Sequence, residues 1–230
     1  VVAGKNDHGI EIIDVTNPGA IVPWGRIVDD GTTLLNFPND VAIATIDGKT
    51  YAVVAAAIDD GIEIIDISDP TSPVHVGKVV DGTDTGECTA ANGERCLDQT
   101  YGVAIATIGD STYVVAVGYV DDGIAIIDIS TPASPVYVSE IEDDADKELN
   151  GPASVAVETF GGLTYAIVTA KLDSAVTVID ITTPSNPTII AMVYDDNDKE
   201  LLGAKAVSIA TIGDSIYAVV SGWNDDGIEI

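Results

Sequence analysis

The sequence predicts an all-β protein that repeats one sheet of four antiparallel strands, and three observations lead to this fold class. The motif Gly-Ile-Glu-Ile-Ile-Asp recurs along the chain, in identical or looser form, at intervals of 52, 62, 52 and 52 residues. Of the 230 residues, 46% are hydrophobic, and the chain is rich in Val and Ile, which favour strands. Short turns rich in Gly and Asp, and pairs of prolines, separate the apolar runs at regular intervals. The five copies of the motif begin at Gly9, Gly61, Gly123, Ala175 and Gly227.

Each repeat contains the same four predicted strands in the same order. In one repeat the first strand is Val41–Ile46, and the turn after it, Asp47-Gly48, has residue types that accept positive φ. The second strand starts at Tyr51, and an acidic turn leads from it into the third strand, which is the recurring motif. Two prolines then bracket a corner before a shorter fourth strand, Val74–Val80, because proline cannot donate to a strand ladder. The nearly unbroken apolar runs of the first two strands predict that both of their faces are covered.

Four short antiparallel strands in a unit of about 40–55 residues are typical of a β-propeller blade. We therefore expect residues 1–230 to form one repeat domain or part of a larger propeller. A right-handed β-helix is the structural rival, but it would have shorter coils and no regular hairpins. The predicted blades are 40–80, 102–142 and 154–194, with partial blades at 1–28 and 206–230.

A family resemblance rests on the end of the third strand and the corner that follows it. The run Ile-Ile-Asp-Ile-Ser, then Asp-Pro-x-x-Pro, then Val-x-Val resembles the LVIVD repeat of bacterial and archaeal surface propellers. The similarity recurs four times and covers essentially the whole chain. It implies a propeller fold and a secreted or cell-surface location, and it is uninformative about chemistry.

The charge of the chain excludes two classes of partner. The 38 acidic and 9 basic residues give a net charge of −29. Such a surface repels phosphate, and no cluster of Lys or Arg in the sequence replaces the counterions of a nucleic acid. An anionic membrane surface is disfavoured for the same reason. No apolar run approaches the roughly 18 residues of a spanning helix, so membrane insertion is not expected.

The connections between repeats are acidic, and they are the predicted metal sites. Carboxylates spaced in this way within a turn can converge on Ca²⁺, which takes oxygen ligands. The alternative is a solvated acidic turn in which Leu149 or Leu201 packs into the blade. The predicted calcium ligands are Asp143, Asp144, Asp146 and Glu148 in one connection, and Asp195, Asp196, Asp198 and Glu200 in the next.

Acidic pairs also precede the third strand in several repeats, as in Asp59-Asp60, Asp121-Asp122 and Asp225-Asp226. We interpret them as ordinary turn residues, since aspartate before glycine is common in turns.

The two cysteines, Cys88 and Cys96, lie within the one connection that is ten residues longer than the others. Their spacing predicts a disulfide, which would restrict the unfolded loop and indicates an oxidising compartment. A metal pair is the alternative, although no histidine is near them.

One position varies while its surroundings repeat. After the second strand the residues are Lys5, Ala57, Tyr119, Lys171 and Trp223. Variable side chains at strand ends are where repeat proteins build binding faces, so we expect Tyr119 and Trp223 to contact a partner or a glycan. The alternative is simple variation in a loop.

The sequence contains no recognisable catalytic motif. The two histidines, His8 and His75, have no partner at a recognisable spacing. We therefore expect a non-enzymatic protein that acts in adhesion, binding or assembly, with a protein, a glycan or a second copy of itself as its partner and calcium as a stabilising ion. The alternative is a hydrolase or lyase with its site at a central tunnel, for which the sequence offers Asp40, Gly102 and Ser154.

Overall fold

The computed structural model describes residues 1–82, 96–144, 146–196, 198–213, 215–224 and 227–230. In this part of the chain every regular element is a β-strand, and the strands form five antiparallel sheets. No helix that could cross a membrane occurs among these residues.

The three middle sheets have four strands each, which follow one another in sequence order across the sheet. The second sheet contains β4 (Pro38–Ile46), β5 (Lys49–Ala56), β6 (Gly61–Asp66) and β7 (Val74–Val80). The third contains β8 (Thr100–Ile108), β9 (Ser111–Gly118), β10 (Gly123–Asp128) and β11 (Val136–Glu142). The fourth contains β12 (Pro152–Phe160), β13 (Leu163–Ala170), β14 (Ala175–Asp180) and β15 (Thr188–Tyr194).

The first and fifth sheets have three strands each, so the sheets are not all four-stranded; both lie where partial blades are expected. Among the described residues, the first sheet has no counterpart of β4, and the fifth has no counterpart of β7. The first sheet contains β1 (Val2–Gly4), β2 (Gly9–Asp14) and β3 (Val22–Val28), and the fifth contains β16 (Ala204–Ile212), β17 (Ser215–Gly222) and β18 (Gly227–Glu229).

The hydrophobic core lies between neighbouring sheets. Each of the four clusters of buried apolar side chains combines residues of two consecutive sheets, so the sheets stack face to face as propeller blades do. The long first strands β4, β8, β12 and β16 lie side by side along the inner edge of this stack.

The burial of the strands differs from the prediction in one respect. The second and third strands are buried on both faces, as in β5 and β6, whereas the first strand β4 is only partly buried. The reason is its position, because the first strand is the inner edge of the sheet and leaves part of its surface uncovered.

Four leucines in equivalent positions close the ends of the sheets, and we call them the plug leucines. They are Leu35, Leu97, Leu149 and Leu201, and their exposed fractions are 0%, 0%, 0% and 1%. Each follows a connection between two sheets and packs into the core. For Leu149 and Leu201, this is the packing that the alternative interpretation of the acidic connections predicts.

Candidate functional site

Two recurring hydrogen bonds hold the connections between sheets, and we call them the inter-sheet clamp; among the described residues, three connections show both bonds and the fourth shows the second. The residue after the plug leucine donates its backbone N–H to an aspartate in the turn of the following sheet. The next residue donates its N–H to the turn of the preceding sheet. The first bond joins Asn36 to Asp59, Asp98 to Asp121 and Asn150 to Asp173, each at 2.8 Å. The second joins Phe37 to His8 at 3.2 Å, Gln99 to Asp60 at 3.0 Å, Gly151 to Asp122 at 2.7 Å and Gly203 to Ser174 at 3.0 Å.

The backbone at the clamp is specialised. The four acceptors of the second bond, His8, Asp60, Asp122 and Ser174, all have φ between 50° and 55°. Asn, Asp and His are the non-glycine residues that adopt this region most readily. The acidic turns are thus more than turn residues, since they tie one sheet to the next. Asp225 and Asp226 lie outside the described residues.

The clamp places like charges close together. The N–H groups of residues 149, 150 and 151 donate to Asp143, Asp173 and Asp122, at 2.8, 2.8 and 2.7 Å. Burial raises the pKa of Asp122, and the charges of Asp143 and Asp173 raise it further. Burial also raises the pKa of Asp173, again with a contribution from Asp143. The three carboxylates therefore satisfy buried backbone donors at the cost of mutual repulsion.

The exposed acids of the connections also have partners, which are a backbone N–H group and a lysine of the same connection. Asp144 accepts from the N–H of Asp146 at 3.0 Å and forms an ion pair with Lys147 at 2.7 Å. The hydrogen bond from Lys147 holds the pKa of Asp144 below its ordinary value. Asp196 and Lys199 form the equivalent pair in the next connection.

These contacts do not assemble the predicted calcium ligands. Within the described residues, no group of three or more His, Cys, Asp or Glu side chains is arranged to hold a metal ion. Asp143 and Asp195 each accept the N–H of a plug leucine, and the main-chain oxygen of Glu148 accepts from Thr177. The N–H of Glu200 donates to Glu229. Asp198 is exposed and donates its N–H to Asp196. Calcium binding stays a prediction.

Cys96 is completely buried in the cluster between the second and third sheets, directly before the plug leucine Leu97. Cys88 lies outside the described residues, and the disulfide stays a prediction.

A cavity of about 500 Å³ opens at the inner edge of the stack, where the first strands begin, and we call it the axial mouth. Side chains from all five sheets and their connections meet there. Three of the nine basic residues of the chain line it, together with two aromatic rings. These side chains are Lys5, Lys171, Lys205, Tyr101 and Trp223.

Rings and ammonium groups alternate along the wall of the axial mouth. Tyr101 stacks on Tyr119 with their centroids 4.6 Å apart. Lys171 Nζ lies 5.8 Å from the Tyr119 centroid and 6.0 Å from that of Trp223, and Lys205 Nζ lies 3.8 Å from the Trp223 centroid. These distances are in the range of cation–π contacts. Trp223 remains 60% exposed, so much of its surface is available to a ligand.

None of the ion pairs found among the described residues involves a lysine of the axial mouth, so a ligand can use the charge of these lysines. The ion pairs of the described residues involve other basic side chains, namely Lys49, His75, Lys147 and Lys199. Since the rest of the surface is strongly acidic, the axial mouth is a local concentration of positive charge.

The polar residues that the sequence offered for a tunnel site do reach the axial mouth, but they serve the backbone. Asp40 accepts the N–H of Val41 at 2.8 Å and of Val103 at 3.1 Å, which joins β4 to β8. The Ser154 hydroxyl accepts the N–H of Val207 at 3.5 Å. A side chain at Gly102 would approach the backbone of Ser154, so glycine allows β8 and β12 to come together.

Three of the five residues at the variable position, Lys5, Lys171 and Trp223, line the axial mouth. Ala57 lines a neighbouring cavity, and Tyr119 reaches the axial mouth only through its stacking on Tyr101. Sequence reasoning missed a second position that also contributes. Lys205 and Tyr101 belong to the series Asn39, Tyr101, Ala153 and Lys205, which also varies among repeats. The predicted first strand begins at Val41, whereas β4 begins at Pro38 and contains a register shift before Asp40. The variation at this position is the signal that could have found it.

A buried acid is a further feature that sequence reasoning missed. Glu63 is completely buried and accepts the N–H of Leu34 at 2.9 Å, while its other oxygen contacts Nδ1 of His75. Burial raises the pKa of Glu63. Because both oxygens are occupied and closed off from solvent, we interpret the pair as support for the connection before β4.

Three solved structures share the fold at low sequence identity. A provisionally assigned 6-phosphogluconolactonase from Bacteroides uniformis has a TM-score of 0.62 and 14% identity, over 93% of this chain and 56% of that one. A periplasmic gluconolactonase from Pseudomonas aeruginosa has a TM-score of 0.59 and 13% identity, over 88% and 53%. An exo-β-1,3-galactanase from Phanerochaete chrysosporium has a TM-score of 0.57 and 9% identity, over 95% and 51%. The chain thus spans just over half the length of these structures.

A search of curated proteins finds no match to the sequence. The family model of the LVIVD repeat, in contrast, matches residues 46–81, 104–143 and 164–195. Each matched segment runs through the second, third and fourth strands of one sheet. The resemblance that the sequence predicts is thereby confirmed, and the chain is an LVIVD-repeat protein.

Proposed function

We propose that the chain is a non-enzymatic binding module that holds a glycan in its axial mouth, and that it acts in adhesion or assembly as a secreted or cell-surface protein. The observation that carries this proposal is the alternation of rings and lysines at the axial mouth. Aromatic rings stack on the apolar faces of sugars, and ammonium groups bind their oxygen atoms. Both kinds of side chain stand on strand ends, which the sheets hold rigidly.

A separate observation, the hydrogen bonds of the polar residues at the axial mouth, argues for binding rather than catalysis. The acid and the hydroxyl at the axial mouth, Asp40 and Ser154, already accept backbone N–H groups. A general base needs a free position within hydrogen-bond reach of its substrate. The glycosidase and lactonase names of the structural neighbours transfer no activity to this chain, because the likeness is one of fold.

Binding can be tested with the tryptophan at the axial mouth. The sequence has two tryptophans, Trp24 and Trp223, so a Trp24→Phe variant leaves Trp223 as the reporter. We expect at least one member of a panel of neutral and acidic polysaccharides to change its fluorescence. The matched Trp223→Phe variant, which keeps Trp24, should show no change.

Two results would contradict the proposal. If no polysaccharide in the panel binds, the axial mouth is not a glycan site. If a bound polysaccharide is cleaved, measured as new reducing ends or unsaturated products, the alternative of a tunnel hydrolase or lyase replaces it.

Calcium as a stabilising ion is a separate proposal. If Ca²⁺ binds the acidic connections, the melting temperature rises on addition of calcium chloride and falls with EGTA, and Asp143→Asn reduces the response. An unchanged melting temperature rejects calcium at these connections.

A further inference from the structure

We propose that the ligand of the axial mouth is a sugar acid, a single pyranose ring that carries a carboxylate, either free or at the end of a glycan. This inference rests on the proposed function and names its ligand class. It depends on three features of the axial mouth: its charge, the geometry of its rings and the acidic surface around it.

The first feature is the charge balance. Lys5, Lys171 and Lys205 face the cavity with Asp40 as the one acidic lining residue among those described. Both oxygens of Asp40 accept backbone N–H groups, whose dipoles partly offset the repulsion between this carboxylate and an incoming anion. A carboxylate that enters this cavity gains charge-assisted hydrogen bonds, which are stronger than those of a neutral hydroxyl.

The second feature is the placement of a ring next to each ammonium group. Lys205 Nζ lies 3.8 Å from the centroid of Trp223, and Lys171 lies between Trp223 and Tyr119. A ligand that uses both must present an apolar face and an anionic group within one small unit. A pyranose carboxylate has this combination, whereas an inorganic anion lacks the face and a neutral sugar lacks the charge.

The third feature limits the size of the ligand. The protein carries a net charge of −29, and the neighbouring cavity that shares Tyr101 is lined by Asp60 and Asp98. A long polyanion would have to cross this acidic surface and would be repelled along its length. A single charged ring, or a terminal ring whose chain leads away from the protein, avoids that repulsion.

The test compares sugars that differ only in the carboxylate. Glucuronic acid is titrated against glucose, and galacturonic acid against galactose, with Trp223 as the reporter in the Trp24→Phe variant. We expect the acid of at least one pair to bind about tenfold more tightly than its neutral partner, the effect of one charged hydrogen bond. Arrayed glycans with terminal uronic acids then distinguish a glycan end from the free sugar acid.

Matched variants assign the preference to the axial mouth. Lys205→Met and Lys171→Met should each lower the affinity for the acid by up to about tenfold, and should lower the affinity for the neutral sugar less, so that the preference for the acid shrinks. Lys171→Arg keeps the positive charge and should retain the affinity for the acid. Lys199→Met removes a lysine of an acidic connection and should have no effect, and melting curves verify that each variant is folded.

The outcomes separate this inference from the proposed function. If neutral and acidic sugars bind equally and Trp223→Ala abolishes the binding of both, as measured by titration calorimetry, the sugar acid is wrong and the glycan site stands. If the acid is preferred but Lys171 and Lys205 do not matter, the inference is also wrong. If neither these sugars nor any polysaccharide binds, the proposed function itself fails.

Discussion

The acidic connections and the axial mouth use charge in opposite ways. In the connections, carboxylates are abundant, and they accept backbone N–H groups or pair with a nearby lysine, as Asp143 and Asp144 do. Positive charge is scarce in the chain as a whole, but it is concentrated at the axial mouth. There Lys171 and Lys205 lie against aromatic rings instead of carboxylates.

This difference shows that the most conspicuous charge in a sequence need not mark its binding site. The clamp aspartates hold neighbouring sheets together, so their repetition follows from the repetition of the fold. The axial lysines do not recur in every repeat. Lys5 and Lys171 share one position that other repeats fill with different residues, and Lys205 is the only lysine in its series. Three predictions test the contrast, from the largest expected effect to the smallest.

The largest effect is expected at a plug leucine. Leu149→Ala removes a completely buried side chain from the core between the third and fourth sheets, and should lower the free energy of unfolding by about 2–5 kcal/mol. Leu172→Ala is the control, because Leu172 is 58% exposed and its loss should have little effect. Denaturant unfolding of both variants measures the difference, and equal losses would mean that the plug leucines do not hold the connections.

A smaller effect is expected at the clamp. Asp122→Asn keeps an oxygen for the buried N–H of Gly151 but removes the charge that Asp143 and Asp173 repel. It should raise the melting temperature at pH 7. Asp122→Ala leaves that N–H without its acceptor, which should make it less stable than Asp122→Asn by about 1–3 kcal/mol.

The effect of Asp122→Asn should depend on pH with a definite sign. The folded-state pKa of Asp122 lies above its ordinary value of 3.8, so protonation stabilises the fold at low pH and this contribution is lost as the pH rises through the folded pKa. The advantage of the variant should therefore shrink as the pH falls from 7 towards about 4. Asp69→Asn is the control of opposite sign, because hydrogen bonds from Thr71 lower the pKa of Asp69. A pH-independent advantage would contradict a pKa of Asp122 that burial and the neighbouring charges raise.

The smallest effect on stability is expected from salt, and it should separate the two regions. Raising sodium chloride from about 0.05 M to about 0.5 M screens the net charge of −29 and should raise the melting temperature. The same change should weaken the binding of a sugar acid at the axial mouth. Thermal melts and fluorescence titrations over one salt series measure both, and salt responses of the same sign would break the comparison.

The sequence predicts the fold far better than the site. The third and fourth strands of the second sheet, Gly61–Asp66 and Val74–Val80, have the predicted bounds because a turn and a proline limit them. The predicted first strand starts too late, at Val41 instead of Pro38, since proline is tolerated at the first residue of a strand.

Because the first strand is predicted to start too late, the residues at its beginning are absent from the predicted binding positions. Lys205 and Tyr101 stand at the start of the first strands, and Lys5 and Trp223 are far apart in sequence. These four side chains meet only because the sheets stack around one inner edge. No local sequence pattern indicates that residues so far apart along the chain lie close together in the fold. The clamp could not be predicted for a similar reason. The sequence of an acidic turn is the same whether or not a backbone N–H group of a neighbouring connection donates to its aspartate.

The longer connection shows where this architecture accommodates new sequence. Asp81 donates its N–H to the main-chain oxygen of Asp60 at 2.7 Å, as Asp143 does to Asp122, and Leu97 is buried like the other plug leucines. Ten additional residues thus enter between two anchor points that are the same as in the shorter repeats. Because the cost of closing a loop grows slowly with its length, a peptide tag or a small folded domain should be graftable into any of these connections. The repeat would then serve as a modular display scaffold.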